Sequence, residues 1–333
     1  MKVVQLKAPG GLDQISIVDK PMPSPAAGEV LVKWHASSLN YHDYLVAIGG
    51  IKTENNRILL SDGAGEVKDI GSGVTTWKPG DKVMSMFFPH WVEGEATADK
   101  LREVPGDLAD GFSCEYSCVR EHALTAIPAD YSYAEAATLP CAALTAWRAL
   151  IVEGRIKAGD QVLVEGTGGM SIFALQIAKA AGAKVFATSS SDEKMKVLTK
   201  LGADVVLNYK TDPDWDKKVR KQSGGGVDVV VDAGGGSTIN QSIKASRIGG
   251  MVVLVGVLGG AEAKIIVPSL FFKQQKLTGI AVGSRKMQVD MVRGLEVNRI
   301  KPVIDSSFKL DKLADAFRHQ KSGKHFGKIV IEY

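Results

Sequence analysis

Cysteine is scarce in this sequence, and so are the features of secreted, membrane-spanning and nucleic-acid-binding proteins. The 333 residues include three cysteines, Cys114, Cys118 and Cys141, and a sparse, odd set predicts reduced thiols rather than a disulfide framework. No apolar run reaches the ~18 residues that cross a bilayer, and the N-terminus lacks the apolar core of a signal peptide. Lysine and arginine form no block, and the net charge is +4, so a nucleic-acid partner is not indicated. We therefore expect a cytoplasmic protein that binds neither membrane nor nucleic acid.

Glycine, by contrast, is abundant. Many of the 36 glycines lie at the ends of short apolar runs, which is typical of strand-to-turn junctions. In the first part of the chain, β-like runs at 3–6, 30–34 and 82–86 are bounded by Pro/Gly signals and predict a β-rich domain. Helical patterns follow at 133–138 and 142–151.

From residue 161 onward, strands and helices alternate. Strands made almost wholly of apolar residues are typical of burial on both faces, and the alternation favours parallel pairing. The sequence therefore predicts an α/β protein whose second part is a doubly wound parallel sheet of six strands. A tail of mixed elements then ends in strand Lys328–Glu332. The predicted sheet strands are Gln161–Glu165, 184–188, 205–207, Val227–Asp232, 251–255 and 277–282, with helices at 171–181 and 192–201.

The turn between the first of these strands and its helix is the most informative segment. Gly166 permits a tight turn, Gly168 lets the backbone approach a pyrophosphate, and the small Ser171 allows the helix to pack on the strand. Free N–H groups at the helix start would face the phosphate charge. An ordinary strand-to-helix turn is the alternative, and the surrounding βαβ pattern favours a dinucleotide. The candidate cofactor-binding residues are Gly166, Thr167, Gly168, Gly169, Met170 and Ser171.

The end of the second strand bears on which dinucleotide is bound. NAD enzymes place Asp or Glu there, about 20 residues after the first glycine, to hold the ribose 2′-OH. Here that position is Ser189, followed by Ser190 and Ser191, so no carboxylate repels a 2′-phosphate. Lys194 lies in the first turn of the next helix, where its charge can reach such a phosphate. The alternative is a capping box of Ser190 and Glu193 beside a solvated Lys194; the missing acid favours NADP(H).

Six segments, matched in order, make the whole chain resemble the medium-chain dehydrogenase/reductase superfamily. They are GEVLVKWHASSLNYHDY (28–44), DGAGEVKDIGSGVTTWKPGDKV (62–83), AATLPCAALTAWRAL (136–150), ATSSSDEK (187–194), LGADVVLNY (201–209) and KHFGKIV (324–330). The resemblance implies a GroES-like catalytic domain at 1–124, a Rossmann cofactor domain at 125–298, and a C-terminal return to the catalytic domain at 299–333.

Zinc-dependent members of this superfamily use a Cys, a His-Glu pair and a later Cys. Those positions here hold Asn40, Ser61 with Asp62, and Cys141. One thiol without a histidine partner does not build a three-ligand catalytic zinc site. Residues 87–118 contain two cysteines where the family's structural zinc needs four. The chain therefore resembles the zinc-free branch, which is similar to quinone oxidoreductases and alcohol dehydrogenases, and no metal is expected.

The resemblance also implies site residues. Asn40 and Asp43 fall beside the nicotinamide, Thr145 near it, and Lys194 and Tyr209 where the 2′-phosphate is held. The family often dimerises through its edge strand, here 277–282, so a homodimer is implied. Residues that fall at the nicotinamide end and the sheet edge are Val257, Leu258, Gly283, Ser284 and Arg285.

The implied reaction is zinc-independent hydride transfer between NADP(H) and a small quinone, enone or aldehyde. Without a metal, hydrogen-bond donors or water must meet the charge that grows on a carbonyl oxygen. Asn40 is a candidate donor through its amide, Tyr41 and His42 are candidate proton sources, and Asp43 orients its neighbours. The alternatives are that Tyr41 only packs and that His42 faces the rim of the cleft.

Three other functions remain compatible with the sequence: alcohol oxidation, non-catalytic NADPH binding, and metal catalysis with unusual ligands. Segment 87–112 also has two interpretations. Its aromatic residues Phe87, Phe88 and Trp91 either form a wall of the substrate pocket or belong to an ordinary surface loop.

Overall fold

The computed structural model describes residues 1–333 and contains two compact units. The first unit combines Met1–Leu144 with Val282–Tyr333, and the second is Thr145–Ala281. The strands, in chain order, are β1 (Lys2–Leu6), β2 (Ile15–Asp19), β3 (Glu29–Ser38), β4 (Arg57–Ile58), β5 (Ala64–Ile70), β6 (Lys82–Ser85), β7 (Tyr116–Arg120), β8 (Leu124–Ala126), β9 (Gln161–Glu165), β10 (Lys184–Ser189), β11 (Val205–Asn208), β12 (Val227–Asp232), β13 (Ser246–Leu254), β14 (Lys276–Gly279), β15 (Ile304–Lys309) and β16 (Lys328–Glu332).

Ten α-helices accompany these strands, with short 3₁₀ and π turns between them. No helix is long and apolar enough to cross a membrane. The helices are α1 (Tyr41–Ala47), α2 (Tyr133–Ala136), α3 (Leu144–Trp147), α4 (Gly169–Ala180), α5 (Asp192–Lys200), α6 (Trp215–Ser223), α7 (Ile239–Ala245), α8 (Val267–Phe271), α9 (Arg285–Val297) and α10 (Leu313–Lys321).

The second unit is a Rossmann-type sheet. Its six strands lie in the order β11-β10-β9-β12-β13-β14, and every neighbouring pair is parallel. The central strands β9 and β12 are almost completely buried, as expected when helices cover both faces. The predicted six-stranded parallel sheet is confirmed. Its order reverses between β9 and β12, and in such sheets ligands bind beyond the carboxyl ends of the strands at this point.

The first unit is β-rich and discontinuous in sequence. A seven-stranded sheet runs β15-β16-β3-β5-β6-β8, with β7 also on β3, and a three-stranded sheet runs β2-β1-β4. Strand β16, from the end of the chain, lies antiparallel to β3, so that Val330 faces Ser38. Helix α1 begins three residues after β3 ends. The late strand β16 is therefore placed beside the start of α1.

The unit boundaries differ from the positions 124/125 and 298/299 expected from the resemblance. The ring of Tyr133 in α2 stacks on His35 of β3, with ring centroids 4.4 Å apart. Gln288 of α9 donates to the Ser85 carbonyl at 3.0 Å and to Thr125 Oγ1 at 2.7 Å. These contacts join α2 and α9 to the first unit, so the compact second unit is shorter than the cofactor domain at 125–298 that the resemblance implies, and that domain division stays a prediction.

Candidate active site

The glycine-rich turn of the second unit has the local structure that a dinucleotide needs. Gly166 has φ +80, a conformation that favours glycine, and its N–H donates to Thr188 O at 3.1 Å. Ser171 Oγ donates to the Glu165 carbonyl at 2.7 Å and so closes the turn. A Cβ built on Gly168, which precedes α4, would meet nothing within 4 Å. The residues here fit a pyrophosphate, because open space and unpaired N–H groups coincide at a helix start.

The serines after β10 are arranged around the start of α5. Ser191 is the N-cap, and its Oγ accepts from the Lys194 N–H at 3.4 Å. The capping-box alternative, in which Ser190 is the N-cap, is therefore wrong by one residue. The two carboxylates of the first turn are engaged locally: Asp192 accepts from Asn208 at 2.8 Å and Glu193 from Ser191 at 2.7 Å.

Tyr209 lies at the same edge of the sheet as these serines. Strand pairing places Ser189 opposite Asn208, and the Tyr209 N–H donates to Ser189 O at 3.0 Å. The Tyr209 side chain is exposed, whereas Ser189 is buried and Lys194 is partly buried. The structure thus brings the predicted 2′-phosphate residues to one place, with no carboxylate at the end of β10.

The remaining predicted cofactor residues are divided between the units. Val257 and Leu258 are exposed after β13, and Thr145 is buried in α3. Gly283, Ser284 and Arg285 lie in the first unit at the start of α9, where Ser284 Oγ caps the helix by accepting from Met287 N–H. Arg285 Nε donates to the Leu124 carbonyl at 3.0 Å. Their contact with a nicotinamide stays a prediction.

In the first unit, the positions that hold zinc ligands in zinc dehydrogenases form a buried hydrogen-bond cluster. The Asn40 amide nitrogen donates to Asp62 Oδ2 at 2.9 Å and to Ser61 Oγ at 3.1 Å. Asp43 accepts from the backbone N–H groups of Asn40 and Ser61, both at 2.9 Å. Both amide hydrogens of Asn40 are therefore used within the cluster, and none remains for a substrate in this arrangement.

A lysine from the far end of the chain completes this cluster. Lys328 Nζ donates to Asn40 Oδ1 at 2.6 Å and to the Leu39 carbonyl at 2.7 Å, and lies 3.8 Å from Asp62 Oδ2. Burial raises the pKa of Asp62 to about 6, while Lys328 opposes that shift. Burial also raises the pKa of the Cys141 thiol well above its usual value.

These residues do not fit a catalytic zinc ion. The ammonium group of Lys328 already supplies positive charge beside Asn40 and Asp62, and the amide of Asn40 points its hydrogens at the carboxylate. Cys141 is the one thiol at these positions, and one thiol without a histidine partner does not build a three-ligand zinc site. No group of three or more His, Cys, Asp or Glu side chains is arranged to hold a metal.

His42 is held by two carboxylates. Its Nε2 lies 2.8 Å from Asp107 Oδ2, and its Nδ1 lies 3.6 Å from Asp43 Oδ1 without a hydrogen bond. Burial disfavours the charged ring, but the two carboxylates outweigh it and raise the pKa of His42 to about 9. The imidazole is therefore protonated at neutral pH and has a proton that it can donate.

The aromatic segment after β6 packs on this histidine. The Phe87 ring meets the His42 ring edge-on, with centroids 5.3 Å apart, and Phe88 packs on Phe87 at 4.9 Å. Phe87, Phe88 and Trp91 are all buried, whereas Tyr41 is exposed. These three aromatics are thus buried, with Phe87 against His42, rather than part of an exposed surface loop.

Family models match both parts of the chain. The alcohol dehydrogenase GroES-like domain matches residues 26–129, and the domain described as zinc-binding dehydrogenase matches residues 169–296. A zinc-type alcohol dehydrogenase-like protein of Schizosaccharomyces pombe is 39% identical over 97% of this chain and 96% of its own. The chain belongs to the medium-chain dehydrogenase/reductase superfamily. The resemblance read from the sequence motifs is confirmed, and this oxidoreductase family is nicotinamide-dependent.

Two solved structures of this superfamily are informative about cofactors. An NAD-dependent alcohol dehydrogenase is 33% identical, with a TM-score of 0.92 and full coverage of both chains. A 2-octenoyl-CoA carboxylase reductase in complex with NADP and 2-octenoyl-CoA is 26% identical, with a TM-score of 0.90 over 99% of this chain and 87% of its own. Both dinucleotides thus occur among structures similar to this medium-chain dehydrogenase/reductase.

Sequence reasoning missed Lys328 and Asp107 as members of the candidate site, and it noted Ser61 and Asp62 only as the positions where zinc-dependent members hold a His-Glu pair. Lys328 had no distinctive signal, because β1, β6, β10 and β14 also begin with a lysine and those lysines are exposed. Asp107 had none: it is 65 residues from His42 in a polar segment with several other acids.

Proposed function

We propose that this medium-chain dehydrogenase/reductase is an NADP(H)-dependent, zinc-independent reductase of a small quinone, enone or aldehyde. The observation that carries the proposal is the ammonium group of Lys328 inside the cluster of Asn40, Ser61 and Asp62. It supplies buried positive charge without a metal. An elemental analysis of the purified active protein tests this part, and stoichiometric zinc would overturn it.

The cofactor preference rests on the end of β10. Ser189 stands where NAD enzymes use a carboxylate, and Lys194 and the exposed Tyr209 lie at the same edge. When bound, the dinucleotide supplies or accepts a hydride. The protein binds its pyrophosphate at the turn around Gly168 and the 2′-phosphate beside Lys194.

The proton for a reduced carbonyl comes from His42. Asp107 and Asp43 keep its ring protonated at neutral pH, so the ring can donate to an oxygen that gains negative charge. Asn40 acts differently from the donor role first considered. Its amide links Lys328 to Asp62 and fixes the start of α1, the helix that carries His42. An enone needs this proton less, because solvent can protonate its α carbon.

Titration with NADPH and NADH tests the cofactor assignment. We expect the wild type to bind NADPH more tightly, and Lys194→Ala to weaken NADPH binding by roughly tenfold or more, as for loss of a charge-assisted phosphate contact. NADH binding should hardly change. Lys196→Ala, an exposed lysine on the same helix, is the matched control. Equal or tighter NADH binding by the wild type would refute the NADP(H) preference.

Turnover then decides between an enzyme and a non-catalytic binding protein. A panel of quinones, enones and aldehydes is offered with the preferred dinucleotide, and the oxidation of alcohols is assayed in reverse. Reduction above a control without protein supports the proposal. Binding without any turnover favours a non-catalytic role, and faster alcohol oxidation favours the dehydrogenase alternative.

We further propose that two copies pair through the edge strand β14. Its outer edge has no neighbour in the sheet, and Phe271 and Phe272, which precede it in the chain, are exposed. An unpaired edge and exposed apolar side chains are typical of a protein interface. Phe272→Glu should lower the mass measured by light scattering to that of one chain. Val297→Glu, at an exposed apolar position in the first unit, is the control and should leave the mass unchanged. The exposed aliphatic and phenylalanine side chains of the second unit are Val197, Ile248, Val257, Leu258, Ile265, Ile266, Val267, Phe271 and Phe272.

A further inference from the structure

Two buried carboxyl groups lie side by side beneath the cofactor turn. Glu165 ends β9 and Asp232 ends β12, the two strands between which the sheet order reverses. Both side chains are buried, and Ser242 of α7 lies between them and is fully buried as well. Glu165 directly precedes Gly166, the first glycine of the turn. No lysine or arginine contacts either carboxyl group through a salt bridge.

The hydrogen bonds around Ser242 require an additional proton. Its Oγ lies 2.7 Å from Glu165 Oε1 and 2.7 Å from Asp232 Oδ2. A serine hydroxyl has one hydrogen to donate, so it can satisfy only one carboxylate. The other carboxyl group must carry a proton and donate it to the hydroxyl oxygen.

The remaining contacts place that proton on Glu165. Asp232 Oδ1 accepts from the Gly235 N–H at 2.8 Å and from Thr238 Oγ1 at 2.7 Å, and both bonds stabilise a negative charge. Glu165 Oε2 has no hydrogen-bond partner. Burial first, and then the neighbouring Asp232, raise the pKa of Glu165 well above its usual value, against the opposing effect of Ser242. Among the groups that face Glu165 from β12, α7 and the turn at 233–238, Asp232 is the only titratable one.

We propose that Glu165 is a positioning residue that stays protonated and shares its proton through Ser242 with Asp232, so that the pair places one negative charge rather than two beneath the turn that would hold the dinucleotide pyrophosphate. If Glu165 loses this proton, two carboxylates face each other with one hydroxyl to serve them. One of these charges then lies a single residue before the pyrophosphate turn, where it repels the bound anion. The proposal rests on the proposed dinucleotide binding for its functional half, and on geometry alone for the shared proton.

The first experiment measures thermal unfolding without dinucleotide across a range of pH. A carboxyl group whose folded pKa is raised stabilises the fold fully below its unfolded pKa and loses that contribution as pH rises through the folded pKa. The midpoint of the wild type should therefore fall relative to Glu165→Gln as pH rises, since the replacement amide is neutral at every pH. Asp232→Asn should flatten the curve only in part, because burial still raises the pKa of Glu165, and it serves as a second variant if the first folds poorly. Glu95→Gln, at an exposed carboxyl group, should follow the wild type.

The second experiment titrates the same proteins with NADPH and with NADH at each pH. The wild type should lose roughly tenfold in affinity for both dinucleotides relative to Glu165→Gln over the interval in which its relative stability falls, which corresponds to a coupling of about one pKa unit. A pH-dependent loss of affinity that occurs with NADPH but not with NADH would instead arise from contacts with the 2′-phosphate. It would overturn the proposed coupling between Glu165 and the pyrophosphate turn.

The outcomes separate the two claims. Parallel unfolding curves for the wild type and Glu165→Gln would overturn the shared proton. Diverging unfolding curves with parallel binding curves would overturn the positioning role. If no variant binds either dinucleotide, the proposed function fails together with the positioning role, while the unfolding curves still decide where the proton is.

Discussion

Both units contain buried carboxyl groups, but the groups that stabilise them differ. In the first unit, buried Asp62 lies near the ammonium group of Lys328, and Asp107 pairs with the protonated ring of His42. In the second unit, Glu165 and Asp232 have no cation and share a hydroxyl group. Burying a charge is costly unless it is paired or neutralised by a proton. A buried acid near a site is therefore not always an anion. Its neighbours decide whether it is paired with a cation or keeps its proton.

The largest effect should come from removing the cation of the first cluster. Lys328→Met leaves Asp62 buried without its positive neighbour and Asn40 Oδ1 without its donor, and breaking a buried pair costs about 3–5 kcal/mol. Urea unfolding should show this loss, whereas Lys324→Met, at an exposed lysine four residues earlier, should cost little. A second change, Asp62→Asn, should restore part of the lost stability. If Lys328→Met is as stable as the wild type, the ion-paired description of this cluster is wrong.

A smaller effect is expected when one of the carboxylates beside His42 is neutralised. Asp107→Asn should lower the pKa of His42 from about 9, because the group that most favours its charge becomes neutral. The stability that the pair contributes is present below pH ~6.5, the ordinary pKa of histidine, and is lost as pH rises to about 9. The variant should therefore be destabilised by about 1.5–3 kcal/mol at pH 6 and match the wild type above pH 9.

The same variant tests the proposed proton donor. In carbonyl reduction, the alkaline limb of the wild-type pH–rate profile should fall near pH 9, and Asp107→Asn should shift it to lower pH. An unchanged limb would remove His42 from the role of proton source, while the stability comparison would still report on the ion pair.

The smallest effect should come from the hydroxyl group of the second cluster. Ser242→Ala should cost about 1 kcal/mol of unfolding free energy, the typical net value of a hydrogen bond, because Glu165 can still share its proton directly with Asp232. Ser246→Ala is a matched control, since Ser246 is equally buried but its Oγ has no hydrogen-bond partner. A loss of several kcal/mol in Ser242→Ala would show that the two acids depend on this hydroxyl group as strictly as Asp62 depends on its cation.

The fold was largely predictable because its signals are local. The strands Gln161–Glu165, Val227–Asp232 and Lys328–Glu332 were predicted with the bounds that the structure shows. Segment 142–151, predicted as helical, is helical throughout: it comprises the end of a π-helical segment at Leu139–Ala143, then α3, then most of a second π-helical segment at Arg148–Glu153. Strand β14 ends at Gly279 rather than 282, because Val282 has a positive φ of 45 and begins the return to the first unit.

The site was predictable only where its residues are neighbours in sequence. The turn at 166–171 and the Asn40–Asp43 motif are local patterns, and both were found. Lys328 bonds to Asn40 across 288 residues, and Ser242 bonds to Glu165 across 77. Such partners depend on sheet order and register, so a single sequence carries no periodicity that pairs them. The protonation of Glu165 depends on Ser242 and Asp232, and that of His42 depends on Asp107. These partners are also distant in sequence, so neither protonation state could be predicted.

The late position of Lys328 has a consequence for synthesis of the protein. A ribosome makes the chain from its amino end, so Asn40 and Asp62 are translated long before the strand that carries their cation. The second unit, which closes at Ala281, is fully translated while the first still lacks β15 and β16. A nascent chain at that stage contains every strand of the parallel sheet, whereas Asp62 still lacks the ammonium group that lies near it in the full chain. The order of translation thus delays completion of the candidate site until the last strand has paired with β3.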